Sequence, residues 1–156
     1  ALGATILIVC ASIIYSQVMS AIDYVMKYKY LKVVKISKDV ISFNLFFSLK
    51  NKSKINYRIK EIVTDIYVND SFVTKIANFA DQPVAAQTTS EIAVNVSLSP
   101  EMIAKQAKVK WQGMVLYPDK TTFTLKTKFK VAYGPLWFYV PFDQTMTLKT
   151  LLKSFT

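Results

Sequence analysis

The sequence predicts an all-β domain, an immunoglobulin-like antiparallel β-sandwich behind one N-terminal transmembrane helix, with a short C-terminal helix. Three observations predict it. Ala1 to Ile22 reads ALGATILIVCASIIYSQVMSAI, with no charge before Asp23. Beyond Lys38, apolar and polar residues alternate in run after run. Short breaks rich in Asn, Asp, Gly or Pro separate those runs.

As a helix, the apolar stretch would measure about 33 Å, against roughly 30 Å of bilayer hydrocarbon. Its only polar groups are hydroxyls and Gln17, which lies close to one end; the hydroxyls of Thr5, Ser12 and Ser16 can bond back to helix carbonyls and so are cheap in lipid. A cleaved signal peptide would carry a basic flank, and no Lys or Arg precedes Lys27. A core helix buried on every side would need a larger domain than the remainder supplies. Residues 1–26 are therefore expected to span a membrane. Residues 27–37 are expected to form a basic, aromatic neck. Tyr24, Lys27, Tyr28, Lys29, Tyr30 and Lys32 are the candidate membrane-interface residues, because Tyr rings and snorkelling Lys favour the headgroup layer. If the helix continues, Tyr24, Lys27 and Tyr28 share one face.

The sandwich is expected over residues 38–143. Ile41, Phe43, Leu45, Phe47 and Leu49 alternate with more polar neighbours and define a half-buried strand. Lys50 to Ser53 is a polar break, and strand-like composition resumes from Ile55 to Val68. Asn69-Asp70 is a tight hairpin turn, since both residues tolerate positive φ, and Phe72-Val73 begins the return strand. Asp81-Gln82-Pro83 reads as a break. Ile92, Val94, Val96 and Leu98 give the clearest alternation in the chain. Ser99-Pro100-Glu101 opens a short helix, with Ser99 as N-cap. Val109 and Trp111 are expected to lead a strand to the turn at Pro118-Asp119. Phe123 to Val131 forms the next strand, Gly134-Pro135 breaks it, and Trp137 to Val140 is an aromatic run. Over residues 144–156, Leu148, Leu151, Leu152 and Phe155 recur at helical spacing, with Thr145 or Thr147 as cap.

The block from Phe43 to Leu98 resembles the type-two late-embryogenesis-abundant family, also called the water-stress-and-hypersensitive-response (WHy) domain. The resemblance rests on FNLFFSLKNKS, on the strand pair IKEIVTDIYVNDSFV, and on PVAAQTTSEIAVNVSLS, in that order and spacing. Two positions depart from the family pattern. Its usual Asn-Pro is Asn51-Lys52 here, and the Gly that usually follows the turn Asn is Asp70. The resemblance implies a small β-sandwich, often tethered behind one transmembrane helix, with no catalytic residues to carry over.

Composition excludes much chemistry. With no histidine, and Cys10 as the lone cysteine, the chain offers neither internal disulfides, nor a Cys/His zinc site, nor a His-based dyad or triad. Glu61 and Asp65 would stand about 13 Å apart on one strand face, too far for paired glycosidase carboxylates. The three glycines, Gly3, Gly113 and Gly134, are isolated, so no phosphate loop exists. No catalytic residue, cofactor or metal is expected, and the protein is read as a non-enzyme.

The formal net charge of +10 suits an anionic surface, yet Arg58 is the sole arginine, which disfavours base-specific nucleic-acid readout. Lys126, Lys128 and Lys130, at two-residue spacing, are the candidate anionic-partner face. The competing reading is an edge strand guarded by lysine. The expected function is a structural and interaction module held by a single pass at a membrane, in a cell envelope or the inner membrane of a virion. A specific form is a minor membrane protein of a lipid-containing virus or phage, linking membrane to capsid or genome. Expected partners are the lipid bilayer, neighbouring membrane or capsid-type proteins, anionic lipid or non-specific nucleic acid, and further copies of the chain. The alternative is a lipid-binding or lipid-transfer module with an apolar cavity.

Overall fold

A computed structural model describes residues 24–153. The expected transmembrane helix up to residue 23 lies outside the described residues. Among those described, no helix is long and apolar enough to cross a membrane.

Strong period-two stretches all form strands. The seven described are β1 (Tyr24–Ile36), β2 (Ile41–Asn51), β3 (Tyr57–Val68), β4 (Ser71–Val84), β5 (Thr89–Leu98), β6 (Thr122–Tyr133) and β7 (Leu136–Thr147). They make two antiparallel sheets, ordered β1-β2-β5 and β4-β3-β6-β7. In an immunoglobulin constant domain the fourth strand joins the first sheet. Here the two-residue turn at Asn69-Asp70 pins β4 to β3, because so tight a hairpin can only pair its own flanks. Both turn residues take left-handed φ, 48° and 68°, and the Asn69 side chain accepts a hydrogen bond from the Thr122 amide at 2.9 Å.

The inner faces interdigitate. Phe43, Leu45 and Phe47 of β2 meet Phe123, Leu125 and Phe129 of β6, all essentially inaccessible to solvent. Phe47 makes edge-on ring contacts with Phe129 and Phe142, at centroid distances of 5.9 and 5.0 Å. The one polar contact between the buried β3 and β6 positions is the hydroxyl pair Thr64–Thr127, at 3.1 Å. Each hydroxyl satisfies the other, which removes the cost of burying them.

Helices close the end of the sandwich opposite the start of β1. Helix α1 (Pro100–Ala107) is capped by the Ser99 hydroxyl, which accepts from the Met102 amide at 3.0 Å. Helix α2 (Trp111–Leu116) and a 3-10 turn (Pro118–Lys120) follow, and α3 (Leu148–Lys153) ends the described chain.

Four expectations need correction. The neck expected at residues 27–37 is not a helical continuation: up to Ile36, and together with Tyr24 to Met26, it forms β1, so the sandwich begins at residue 24 rather than 38. Met26, Leu31, Val33 and Ile36 pack inward, and β1 gains a full ladder along β2 that a free helix would forgo. The segment after Val109 is helical because Trp111 and Met114, three apart, both reach the core, and Met114 is fully buried. Asp81-Gln82-Pro83 lies inside β4, where Pro is tolerated because β4 is a sheet edge. Lastly, β7 runs on to Thr147, so helix in the 144–156 segment starts only at Leu148. The Thr147 hydroxyl caps it, accepting from the Thr150 amide at 3.2 Å.

Candidate functional site

The outer faces of the two sheets differ sharply in charge balance. On the larger sheet, cross-strand register places Lys75, Asp65, Lys126 and Asp143 in one row, and Glu61 beside Lys130 in another. Lys75 reaches Asp65 at 3.7 Å, while Lys126 lies 4.9 Å from the Tyr67 ring centroid and Lys130 lies 4.6 Å from that of Trp137. Of the predicted anionic-partner stripe, only Lys128 has no acid opposite it, its neighbours being Val63 and Pro141. The stripe does share one face, as its spacing requires, but that face is a checkerboard rather than a basic patch. Nor is β6 an edge strand: it sits between β3 and β7, so lysine-guarding of an edge does not explain it.

At the lower corner of this sheet, Asp81 is clamped. Arg58 Nε donates to its Oδ1 at 2.6 Å and Lys60 Nζ at 3.0 Å. These two hydrogen bonds, Arg58's first, hold the exposed carboxyl down at about 2. Of the aromatic run, Phe138 is core. Trp137 and Tyr139 remain 51% and 44% exposed on the outer face, packed edge-on at 5.6 Å.

On the smaller sheet the balance fails. The register that turns Met26, Leu31 and Val33 inward sets Lys27 beside Ser48, Lys32 beside Asn44 and Lys35 beside Ser42, on the outward face. Lys50 of β2 lies on the same side, paired with Thr89. Lys29 falls at a bulge between Tyr28 and Tyr30 and reaches Glu91 at 3.2 Å. Glu91 is the one carboxylate opposed to this row, and no other of these lysines forms an ion pair among the described residues. Edge strand β1 therefore carries the lysine guard, and its basic surface is largely uncompensated.

The predicted interface residues divide between two faces. Lys27, Lys29, Tyr30 and Lys32 face outward, with Tyr30 stacked on Phe46 at 4.5 Å. Tyr28 turns toward the core, edge-on to Phe47 at 6.1 Å, and Tyr24 lines a crevice with Met26, Leu49 and Tyr57. Missed by the sequence reading are Lys50 and Lys52. They belong to a break whose composition looked merely polar; the β1–β2 register sets Lys50 diagonal to Lys27, and Lys52 lines the same depression.

Beneath these lysines is a rigid seat. Asn51 is fully buried, and its Nδ2 donates to the carbonyls of Ile55 at 2.8 Å and Ala85 at 3.1 Å. Its Oδ1 accepts from the Ser53 amide at 3.0 Å and hydroxyl at 2.6 Å. One side chain thus ties the β2–β3 loop to the β4–β5 loop. Its burial also removes Asn51 as a glycosylation acceptor, although Asn51-Lys52-Ser53 fits that pattern. No group of three or more Asp, Glu, Cys or His residues that could hold a metal occurs among the described residues.

A late embryogenesis abundant protein (LEA_2) family model matches residues 46–146. Solved structures share the fold at low identity. A protein from Archaeoglobus fulgidus is 10% identical with a TM-score of 0.59, covering 78% of this chain and 97% of that one. A protein of Arabidopsis thaliana solved in solution is 11% identical with a TM-score of 0.59, covering 81% and 82%. A protein described as late embryogenesis abundant is 10% identical with a TM-score of 0.57, covering 94% and 83%. No curated protein matches the sequence.

Proposed function

Since the chain belongs to the late embryogenesis abundant (LEA_2) family, we propose that it is a non-enzymatic, single-pass, membrane-anchored β-sandwich of the water-stress-and-hypersensitive-response kind. It acts as a structural and interaction module at a bilayer surface. One observation carries the reading. The uncharged stretch Ala1 to Ile22 leads straight into β1, the strand whose outward lysines are almost unopposed by acid. Apolar insertion and electrostatic attraction to anionic lipid would then act at one place, and two such signals hold a protein far better than either alone.

The interior argues against the lipid-carrier alternative. The crevice between the sheets at the β1 entrance, lined by Tyr24, Met26, Tyr57 and Phe138 among others, has about 10 Å³ of room. That is about one water molecule, and an acyl chain would require the sheets to part.

Extraction of membranes bearing the full chain with alkaline carbonate and with high salt tests this reading. An anchored protein stays in the pellet under both treatments. Release by carbonate would overturn the anchor, and release by salt alone would leave only a peripheral, electrostatic attachment.

A further inference from the structure

The starting end of β1 carries a depression of about 320 Å³ between β1, β2 and β5, lined by Val25, Lys27, Ser48, Lys50, Lys52 and Thr89. We propose that this depression binds the phosphate of an anionic lipid headgroup. The inference rests on the membrane-anchored reading and specifies how the sandwich meets the bilayer.

Four features support it. Lys27, Lys50 and Lys52 are exposed and form no ion pair among the described residues, whereas Lys29, Arg58, Lys60 and Lys75 each have a carboxylate partner. Three ammonium donors and the two hydroxyls of Ser48 and Thr89 match the several acceptor oxygens of one phosphate. Point-charge lysines suit a mobile headgroup better than base-specific readout.

The seat is also preorganised. Lys50 and Lys52 flank the buried Asn51, whose hydrogen bonds fix the backbone from which both project. Lys27 pairs with Ser48 and Val25 with Lys50, so Lys27 and Lys50 are diagonal neighbours, about 7–8 Å apart at the backbone.

Location favours lipid over a free anion. Tyr24 pairs with Asn51, so the point at which the preceding chain is joined to β1 lies at this very end. Lys27 lies about 10 Å along the strand from Tyr24, while Lys32 and Lys35 lie about 26 and 36 Å away. Only the first is within snorkelling reach of a bilayer entered just before Tyr24. Exposed Tyr133 and Trp137, at the β6–β7 turn, lie at the same end and supply aromatic rings of the kind found at headgroup depth.

The test uses the full chain in bilayer discs of phosphatidylcholine, with and without phosphatidylglycerol, its lysines ¹³C-dimethylated for NMR. The expected result is that phosphatidylglycerol shifts the Lys27, Lys50 and Lys52 resonances but not those of Lys126, Lys128 and Lys130. The Lys52 shift should vanish in Lys27→Glu/Lys50→Glu, and all three should persist in Lys32→Glu/Lys35→Glu, where the charges removed are distant and exposed. Equal shifts at Lys32 and Lys35 would overturn the site in favour of face-on docking. Equal shifts from inorganic phosphate in neutral discs would make it a free-anion site. Larger shifts from a DNA duplex would make it a nucleic-acid contact. Entry into discs without any lysine shift overturns the headgroup site alone, while failure to enter neutral discs overturns the anchored reading beneath it.

Discussion

Asn51 shows how one residue sets the architecture of an end. Its position in a polar break is visible in the sequence, but its depth is not, because depth depends on the β4–β5 loop closing over it from more than thirty residues away. Asn51→Ala should cost about 2–3 kcal/mol, since it strands buried carbonyls and the Ser53 amide, and chemical denaturation would measure it. Two titrating residues give opposite pH signatures. The Asp81 carboxyl is held at about 2 in the fold against 3.8 ordinarily, so its contribution is complete above pH 4 and is lost as pH falls toward 2. Asp81→Asn should flatten that part of an acid denaturation profile. Burial, with Tyr24 adding to it, pushes the Tyr57 hydroxyl from 10.0 up to about 12. A raised value means the contribution holds below pH 10 and is lost between about 10 and 12. Tyr57→Phe should remove that loss from an alkaline titration of stability.

At the scale of the element, alternation was legible wherever one sheet face is buried and the other wet. β2, β5 and β6 could be read to within a few residues on that signal, and the Ser99 cap and the Asn69-Asp70 turn on local chemistry alone. β1 was not legible. Its bulges, at Tyr28/Tyr30 and Val33/Lys35, break the period of two, and its Tyr–Lys pattern equally describes a headgroup-seeking helix. What decides is the β2 edge waiting to be paired. The practical consequence is that a chain begun at residue 38 would lose a whole strand, and with it most of the basic face. Helix α2 was misread because Val109 and Trp111, two apart, suggest a strand, whereas the pair that decides, Trp111 and Met114, is three apart. The turn offers a direct check of element chemistry. Asp70 holds φ of 68°, a region that Gly enters without penalty, so Asp70→Gly should stabilise by about 0.5–1 kcal/mol in thermal melts. In the core, Phe47→Ala should cost about 3–5 kcal/mol, since Phe47 is 1% exposed and touches rings from β1, β6 and β7.

For the whole molecule, the net charge of +10 matters less than how the fold distributes it. Sequence spacing drew attention to Lys126, Lys128 and Lys130, yet topology sets acids beside two of the three. The uncompensated lysines come instead from β1 and β2, strands whose adjacency only the sheet order reveals. The result is polarised: helices close one end, and the other carries the start of β1, the Asn51 seat, and Lys27, Lys50 and Lys52, which form no ion pair among the described residues.

The central claim, that the apolar stretch anchors this end in a bilayer, can be tested at Cys10, the only cysteine in the chain. A nitroxide attached there, in the full chain reconstituted into phosphatidylcholine vesicles, would report its depth through collisions with relaxing agents. The account predicts strong relaxation by dissolved oxygen and almost none by a water-soluble nickel chelate. The reverse, a label open to the chelate and indifferent to lipid, would contradict the anchor.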